Sequence, residues 1–120
     1  MTKLMKSAIA ACMVLTMLGA TAAPAFAEGA SFFRRARVPA FSTHTWTVTT
    51  AGYGFQVVVN GDGDTDLDVY VYDAVTGEFL GSDDDYTDYC VVRGWSRFRT
   101  LRIQVVNRGY VWNEYTISVR

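Results

Sequence analysis

The segment Leu67–Asp73 constrains this chain most: Leu67, Val69 and Val71 alternate with Asp68, Tyr70 and Tyr72. Successive side chains of a strand point to opposite faces, so a two-residue period with branched apolar residues on one side marks a half-buried strand. The reading extends along the chain. Thr43–Thr49 alternates with β-branched residues, Gly54–Asn60 contains Val57-Val58-Val59, and residues 78–82 make a short return strand. Strands are also predicted at 89–93, 98–107 and 112–119. Turn signals fall at Ala51-Gly52, Asn60-Gly61-Asp62-Gly63, Thr76-Gly77, Gly94 and Arg108-Gly109. About seven or eight short strands, with a turn signal roughly every ten residues and no helical period, predict an all-β antiparallel sandwich over residues 42–120.

The first 27 residues are of another kind. Lys3 and Lys6 precede an apolar stretch from Ala8 to Ala23, and Ala25-Phe26-Ala27 supplies the small residues of a cleavage site. That order is a secretory signal peptide. Gly19 and Pro24 interrupt the stretch, which is short of the roughly 20 apolar residues of a membrane span. Ile9-Ala10-Ala11-Cys12 has lipobox residue types, but its apolar run after Lys6 is too short for a lipoprotein signal. The expected product is exported, periplasmic or extracellular, with no membrane attachment after cleavage. Its basic lead-in at 28–41 contains Phe32-Phe33-Arg34-Arg35-Ala36-Arg37.

Charge is segregated along the expected mature chain. It carries nine Arg, no Lys and twelve Asp or Glu, a balance that argues against nucleic acid. No Lys or Arg lies between Arg37 and Arg93, whereas ten carboxylates lie between Asp62 and Asp88. Two acidic runs result: Asp62-Gly63-Asp64-Thr65-Asp66-Leu67-Asp68, and Asp83-Asp84-Asp85 followed by Asp88. A hairpin turning near Ala74 to Gly77 joins them. Setting Asp73 opposite Glu78 puts Asp68 opposite Asp83 and Asp66 opposite Asp85, and a slip of one or two residues still brings the runs together. Facing like charges repel. A hard cation with about six to eight oxygen ligands resolves the conflict, which makes Asp64, Asp66, Asp68, Asp83 and Asp85 candidate calcium ligands. The spacing is not an EF-hand, because Leu67 stands where that loop needs Gly. Two other readings use the same carboxylates: solvated turn residues bonding locally, and ion pairs with arginines of the lead-in.

The run Gly63-Asp64-Thr65-Asp66-Leu67-Asp68-Val69-Tyr70-Val71-Tyr72-Asp73, followed by Gly77, Leu80 and Ser82-Asp83-Asp84-Asp85, resembles the bacterial pre-peptidase C-terminal domain family. Ile103-Gln104-Val105-Val106-Asn107 and Asn113-Glu114-Tyr115-Thr116-Ile117 extend the resemblance. It implies a jelly-roll-like sandwich, calcium in some members, and an accessory role beside secreted enzymes. Gly94-Trp95-Ser96-Arg97-Phe98 departs from the family's usual turn there, and the chain carries no peptidase domain.

Catalysis finds little support. His44 is the one histidine, in Ser42-Thr43-His44-Thr45-Trp46, with no nucleophile motif beside it. Cys90, the one cysteine beyond the leader, sits in a strand-like run and reads as a buried, inert thiol. Paired carboxylates hydrolyse glycosides, but a sandwich of this size offers little room for the cleft. Trp46 and Phe55 read as core. Tyr70, Tyr72, Trp95 and Trp112 are the candidate ligand-binding aromatics, since flat rings bury area with few rotors. The expectation is a monomeric, non-enzymatic binding or accessory module, acting on an extracellular protein or polysaccharide. The alternative is a purely structural calcium-dependent component.

Overall fold

The computed structural model describes residues 31–120, and the expected leader at 1–27 lies outside them. Eight strands form: β1 (Phe32–Val38), β2 (Thr43–Thr49), β3 (Gly54–Asn60), β4 (Leu67–Asp73), β5 (Phe79–Asp83), β6 (Tyr89–Trp95), β7 (Thr100–Asn107) and β8 (Asn113–Val119). They make two four-stranded antiparallel sheets, ordered β1-β8-β3-β6 and β2-β7-β4-β5. This is a β-sandwich with the strand order of a jelly roll, in which consecutive strands cross between sheets except at the β4–β5 hairpin.

The core follows from the two-residue period. Val57 and Val59 of β3, Leu67, Val69 and Val71 of β4, Leu101, Ile103 and Val105 of β7, and Ile117 of β8 are all fully buried. The strands predicted at 43–49, 54–60 and 67–73 form with those bounds, and the later ones shift by a residue or two. Phe55 is buried, and Trp46 packs partly buried against the core.

Two differences from the sequence reading have clear causes. The basic lead-in is not a free arm: residues 32–38 pair along their whole length with β8, from Phe32 opposite Val119 to Val38 opposite Asn113. It is an edge strand whose three arginines are all exposed, and charge along an edge discourages further pairing. Gly94 is not a turn. It lies within β6 opposite Phe55, and a Cβ there would sit 2.7 Å from the Phe55 ring. The glycine makes room for an aromatic on the neighbouring strand.

Topology places the loops at two ends. One end gathers the loops 39–42, 61–66, 84–88 and 108–112. The opposite end gathers 50–53, 74–78 and 96–99 with the C-terminus. The acidic runs and the basic loop 96–99 therefore occupy opposite ends of the molecule.

Candidate functional site

The acidic end is built around two buried asparagines. Asn107 closes β7 and Asn113 opens β8, and both are essentially inaccessible. Nδ2 of Asn107 donates to the carbonyls of Val38, Pro39 and Val111, and its Oδ1 accepts from Gly109 N. Nδ2 of Asn113 donates to the Thr65 carbonyl, Thr65 Oγ1 and Asp88 Oδ2, and its Oδ1 accepts from Asp62 N. One amide thus ties loops 39–42 and 108–112 together, and the other ties 61–66 to 84–88. The strand period contained the signal. Leu101, Ile103, Val105 and Asn107 share one face of β7, as Asn113, Tyr115, Ile117 and Val119 do on β8. A polar residue ending an inward series has to bond to something.

Most of the acidic side chains serve the backbone. Asp62 accepts from Asp64 N and Glu114 N, and Asp88 accepts from Gly63 N at 2.6 Å. Asp85 takes the amide and hydroxyl of Thr87, and Asp73 takes the amides of Val75 and Thr76. Asp83 reaches across to Val91 N on the edge strand β6. Short carboxylates capping nearby amides explain much of the Asp richness of these turns.

The hairpin register differs from the predicted one by a single residue. Asp73 N does bond the Glu78 carbonyl, so the turn is as expected. Gly77 holds the positive φ of 81° it needs there. A register shift between Val71 and Tyr72 then sets Val69, rather than Asp68, opposite Asp83. Asp68 is 5% exposed, and Arg108 Nε donates to its Oδ2 at 2.7 Å while Arg108 Nη2 donates to Tyr70 Oη. An arginine does neutralise the acidic cluster, but it comes from loop 108–112 and not from the lead-in. Arg35 pairs with Glu114, and Arg37 lies 4.0 Å over the Trp112 ring.

The calcium expectation meets this geometry as follows. Oδ1 of Asp66 and Oδ1 of Asp68 are buried without a hydrogen-bond partner. Burial, then Asp68 and Asp85, raise the Asp66 carboxyl above its usual range. Asp83 and Asp85 are committed to amides, however, and Asp64 is exposed. Among the described residues no three His, Cys, Asp or Glu side chains converge to hold a metal ion. The five predicted ligands therefore do not assemble into one shell in this arrangement. Nor does Asp68 suit a glycosidase pair with Asp66, because its Oδ1 is sealed and its Oδ2 is bound by Arg108.

His44 and Cys90 are accounted for structurally. The Tyr115 hydroxyl lies 2.8 Å from His44 Nδ1 and accepts a bond from Trp46 Nε1 at 2.9 Å. Burial lowers the pKa of His44. Cys90 is fully buried and donates to the Leu67 carbonyl, and burial followed by the nearby carboxylates pushes its thiol up to about 12. Such a thiol is unreactive at neutral pH.

The four predicted aromatics do not share a face. Tyr70 and Tyr72 lie half-buried on the outer side of β4, Tyr70 under Arg108 and Tyr72 between Phe79 and Arg102. Trp95 is at the end with loop 96–99, and Trp112 is at the acidic end. Trp112 shares that end with Tyr110, another loop aromatic, and with Phe41, which strand and loop patterning did not single out. Phe41, 64% exposed, meets Tyr110, 85% exposed, edge to face at 4.9 Å. Phe41 holds φ of 54°, with its N–H bonded to the Gly109 carbonyl. A left-handed backbone at a bulky residue costs about 1 kcal/mol or more and persists only where surrounding bonds impose it.

No family model matches the chain, and no curated protein matches it. Among solved structures it is similar to PliG of Aeromonas hydrophila, a periplasmic inhibitor of g-type lysozyme, with a TM-score of 0.55 and 19% sequence identity over 78% of this chain and 89% of that one. At that identity the likeness establishes that the two proteins share a β-sandwich fold.

Proposed function

We propose that this protein is an exported, non-catalytic binding module that captures an extracellular protein at the acidic end of its sandwich. The observation that carries the reading is the exposure of Phe41, Tyr110 and Trp112 at the same end of the sandwich as the acidic loops 61–66 and 84–88. Large solvent-facing rings held by a rigid scaffold are the anchors of protein interfaces. Exposed carboxylates sharing that end favour a cationic partner and speed encounter. The similar fold of a lysozyme inhibitor supports an enzyme of the lysozyme class as that partner, and the accessory role implied by the pre-peptidase C-terminal resemblance agrees with a module that acts on another protein. Calorimetric titration against a g-type lysozyme is expected to give binding that weakens with salt. Tyr110→Ala is expected to weaken it about tenfold to thirtyfold, as loss of an interface anchor does. A Tyr110→Ala protein that binds as tightly as the parent places the interface elsewhere, and failure to bind any lysozyme class removes this partner.

The second reading, a calcium-stabilised structural component, rests on the two orphaned oxygens of Asp66 and Asp68. Asp66→Asn separates it from an ion-free cluster. The folded pKa of Asp66 is raised, so its contribution to stability is full below the unfolded value of 3.8 and is lost as pH rises through the folded value. Without an ion, Asp66→Asn at pH 7 is expected to raise stability by about 0.2–1 kcal/mol through relief of like charge. If calcium bridges the pair, the same substitution lowers the melting temperature in about 1 mM calcium, and chelator lowers only that of the parent.

A further inference from the structure

The end opposite the acidic loops carries a second exposed aromatic group, with charge of the other sign. Trp95, 62% exposed, stacks on Tyr53 with ring centroids 5.7 Å apart. Arg99 lies over the other ring of that pair, 5.5 Å from the Tyr53 centroid, and Arg97 lies 5.5 Å from the centroid of exposed Phe98. The two loops that supply them are bonded into one unit. Ser96 N donates to the Tyr53 carbonyl, Thr50 N to the Arg99 carbonyl, and Arg99 Nη1 to the Ala51 carbonyl. Arg99 itself is held at φ of 61°, a left-handed backbone that a bulky residue rarely adopts.

These arginines lack carboxylate partners. Among the described residues the ion pairs are Arg35 with Glu114 and Arg108 with Asp68, both remote from this end. Arg93 points from the same face of β6 as Trp95, and its Nε bonds neutral Gln56. Of the side-chain carboxylates near this end, Asp73 is buried and bonded to turn amides, which leaves Glu78 on the 74–78 turn. An exposed indole at the same end as guanidinium groups that lack carboxylate partners matches a ligand that carries both apolar ring faces and anions. Guanidinium groups take carboxylate or phosphate oxygens through two parallel bonds.

We propose that this end is a binding site for a linear anionic polysaccharide. Trp95 stacks on a sugar ring, and Arg93, Arg97 and Arg99 bind the anionic groups of neighbouring residues. The site is independent of the protein-binding surface at the acidic end, and the two lie at opposite ends of the sandwich.

The test is affinity electrophoresis through gels containing polygalacturonate, a glycerol-phosphate polymer, or neutral dextran, with a melt of each variant as a folding control. Retardation by an anionic polymer but not by dextran is expected, and it should fall steeply with salt because bound counter-ions are released. Retardation by the glycerol-phosphate polymer alone, which offers no sugar ring to Trp95, overturns the proposal. Trp95→Ala is expected to weaken retardation at least tenfold, and Arg97→Gln with Arg99→Gly to abolish it. Arg99→Gly alone relaxes the left-handed backbone, so lost binding with an unchanged or higher melting temperature separates recognition from folding. Tyr110→Ala at the other end should leave retardation unchanged. Equal retardation by dextran, insensitivity to Trp95→Ala, or no retardation by either anionic polymer overturns the proposal. Binding to anionic vesicles or an acidic protein in place of the polymers overturns it as well.

Discussion

Replacing Asn113 with Leu is expected to lower the melting temperature by about 10–25 °C. The side chain is fully buried and makes bonds to Asp62 N, Thr65 and Asp88 at once. Leucine conserves most of the volume but leaves those groups without partners. Each buried polar group left unpaired costs about 1–3 kcal/mol. The affected loops lie at the end of the sandwich, where some of these groups can turn to water, so the total is about 2–4 kcal/mol. For a domain of this size each kcal/mol moves the melting temperature by about 4–8 °C. Amide exchange adds a spatial check. Asn113→Leu should expose the amides of Asp62 and Gly63 while leaving Gly109 protected, and Asn107→Leu should do the reverse. A melting temperature within about 3 °C of the parent would remove Asn113 from this organising role. The effect on function follows from the same bonds: Asn107 steadies the loops that carry Phe41 and Tyr110, so Asn107→Leu should weaken capture of a protein partner without touching the aromatic rings.

The other large effect is expected at Tyr115, the largest of the fully buried side chains. Tyr115→Ala removes its ring from the core and should cost about 3–5 kcal/mol, the range for truncating a buried aromatic. Tyr115→Phe keeps the ring and removes the hydroxyl, leaving Trp46 Nε1 and His44 Nδ1 without a partner, for a loss of about 1–3 kcal/mol. Urea unfolding at neutral pH measures both, and a Tyr115→Phe protein as stable as the parent would show that water replaces the hydroxyl. The histidine adds a pH dependence of definite sign. Burial lowers the folded-state pKa of His44, so below the ordinary value of 6.5 the unfolded chain binds more protons than the folded one. The stability it contributes is full above that pH and is lost as pH falls through the folded value. His44→Gln should flatten the part of the stability profile just below pH 6.5, and an unchanged slope would assign that region to other groups.

Much of the fold was legible because a strand's period is local. Leu67, Val69 and Val71 announce one buried face whatever lies opposite, and the same is true of β2, β3, β7 and β8. Gly77 likewise marked its turn through its own backbone. The sequence therefore determined an all-β chain, most strand positions, the buried state of Cys90 and the segregation of charge. β1 was missed because an edge strand has one hydrogen-bonded side, and its arginines hide a period that only β8 completes. Gly94 was read as a break because the ring that needs the space, Phe55, belongs to another strand.

The site needed the tertiary structure for a similar reason. Counting along the hairpin brought the two acidic runs together, and they do meet. A register shift of one residue then set Val69 opposite Asp83, and a bond from Arg108, forty positions along the chain, bound Asp68 while Asp66 Oδ1 and Asp68 Oδ1 stayed unpartnered. Strand alternation placed Tyr70 and Tyr72 on the polar face of their strand, and the turn signals placed Trp95 and Trp112 in or beside loops. Only the strand order decides that these four lie on three separate surfaces, and that Phe41 meets Tyr110 across two loops. Local pattern is a property of neighbouring residues, which the sequence carries outright. A binding surface is made of loops that topology brings together, so its composition is settled only when the two sheets close.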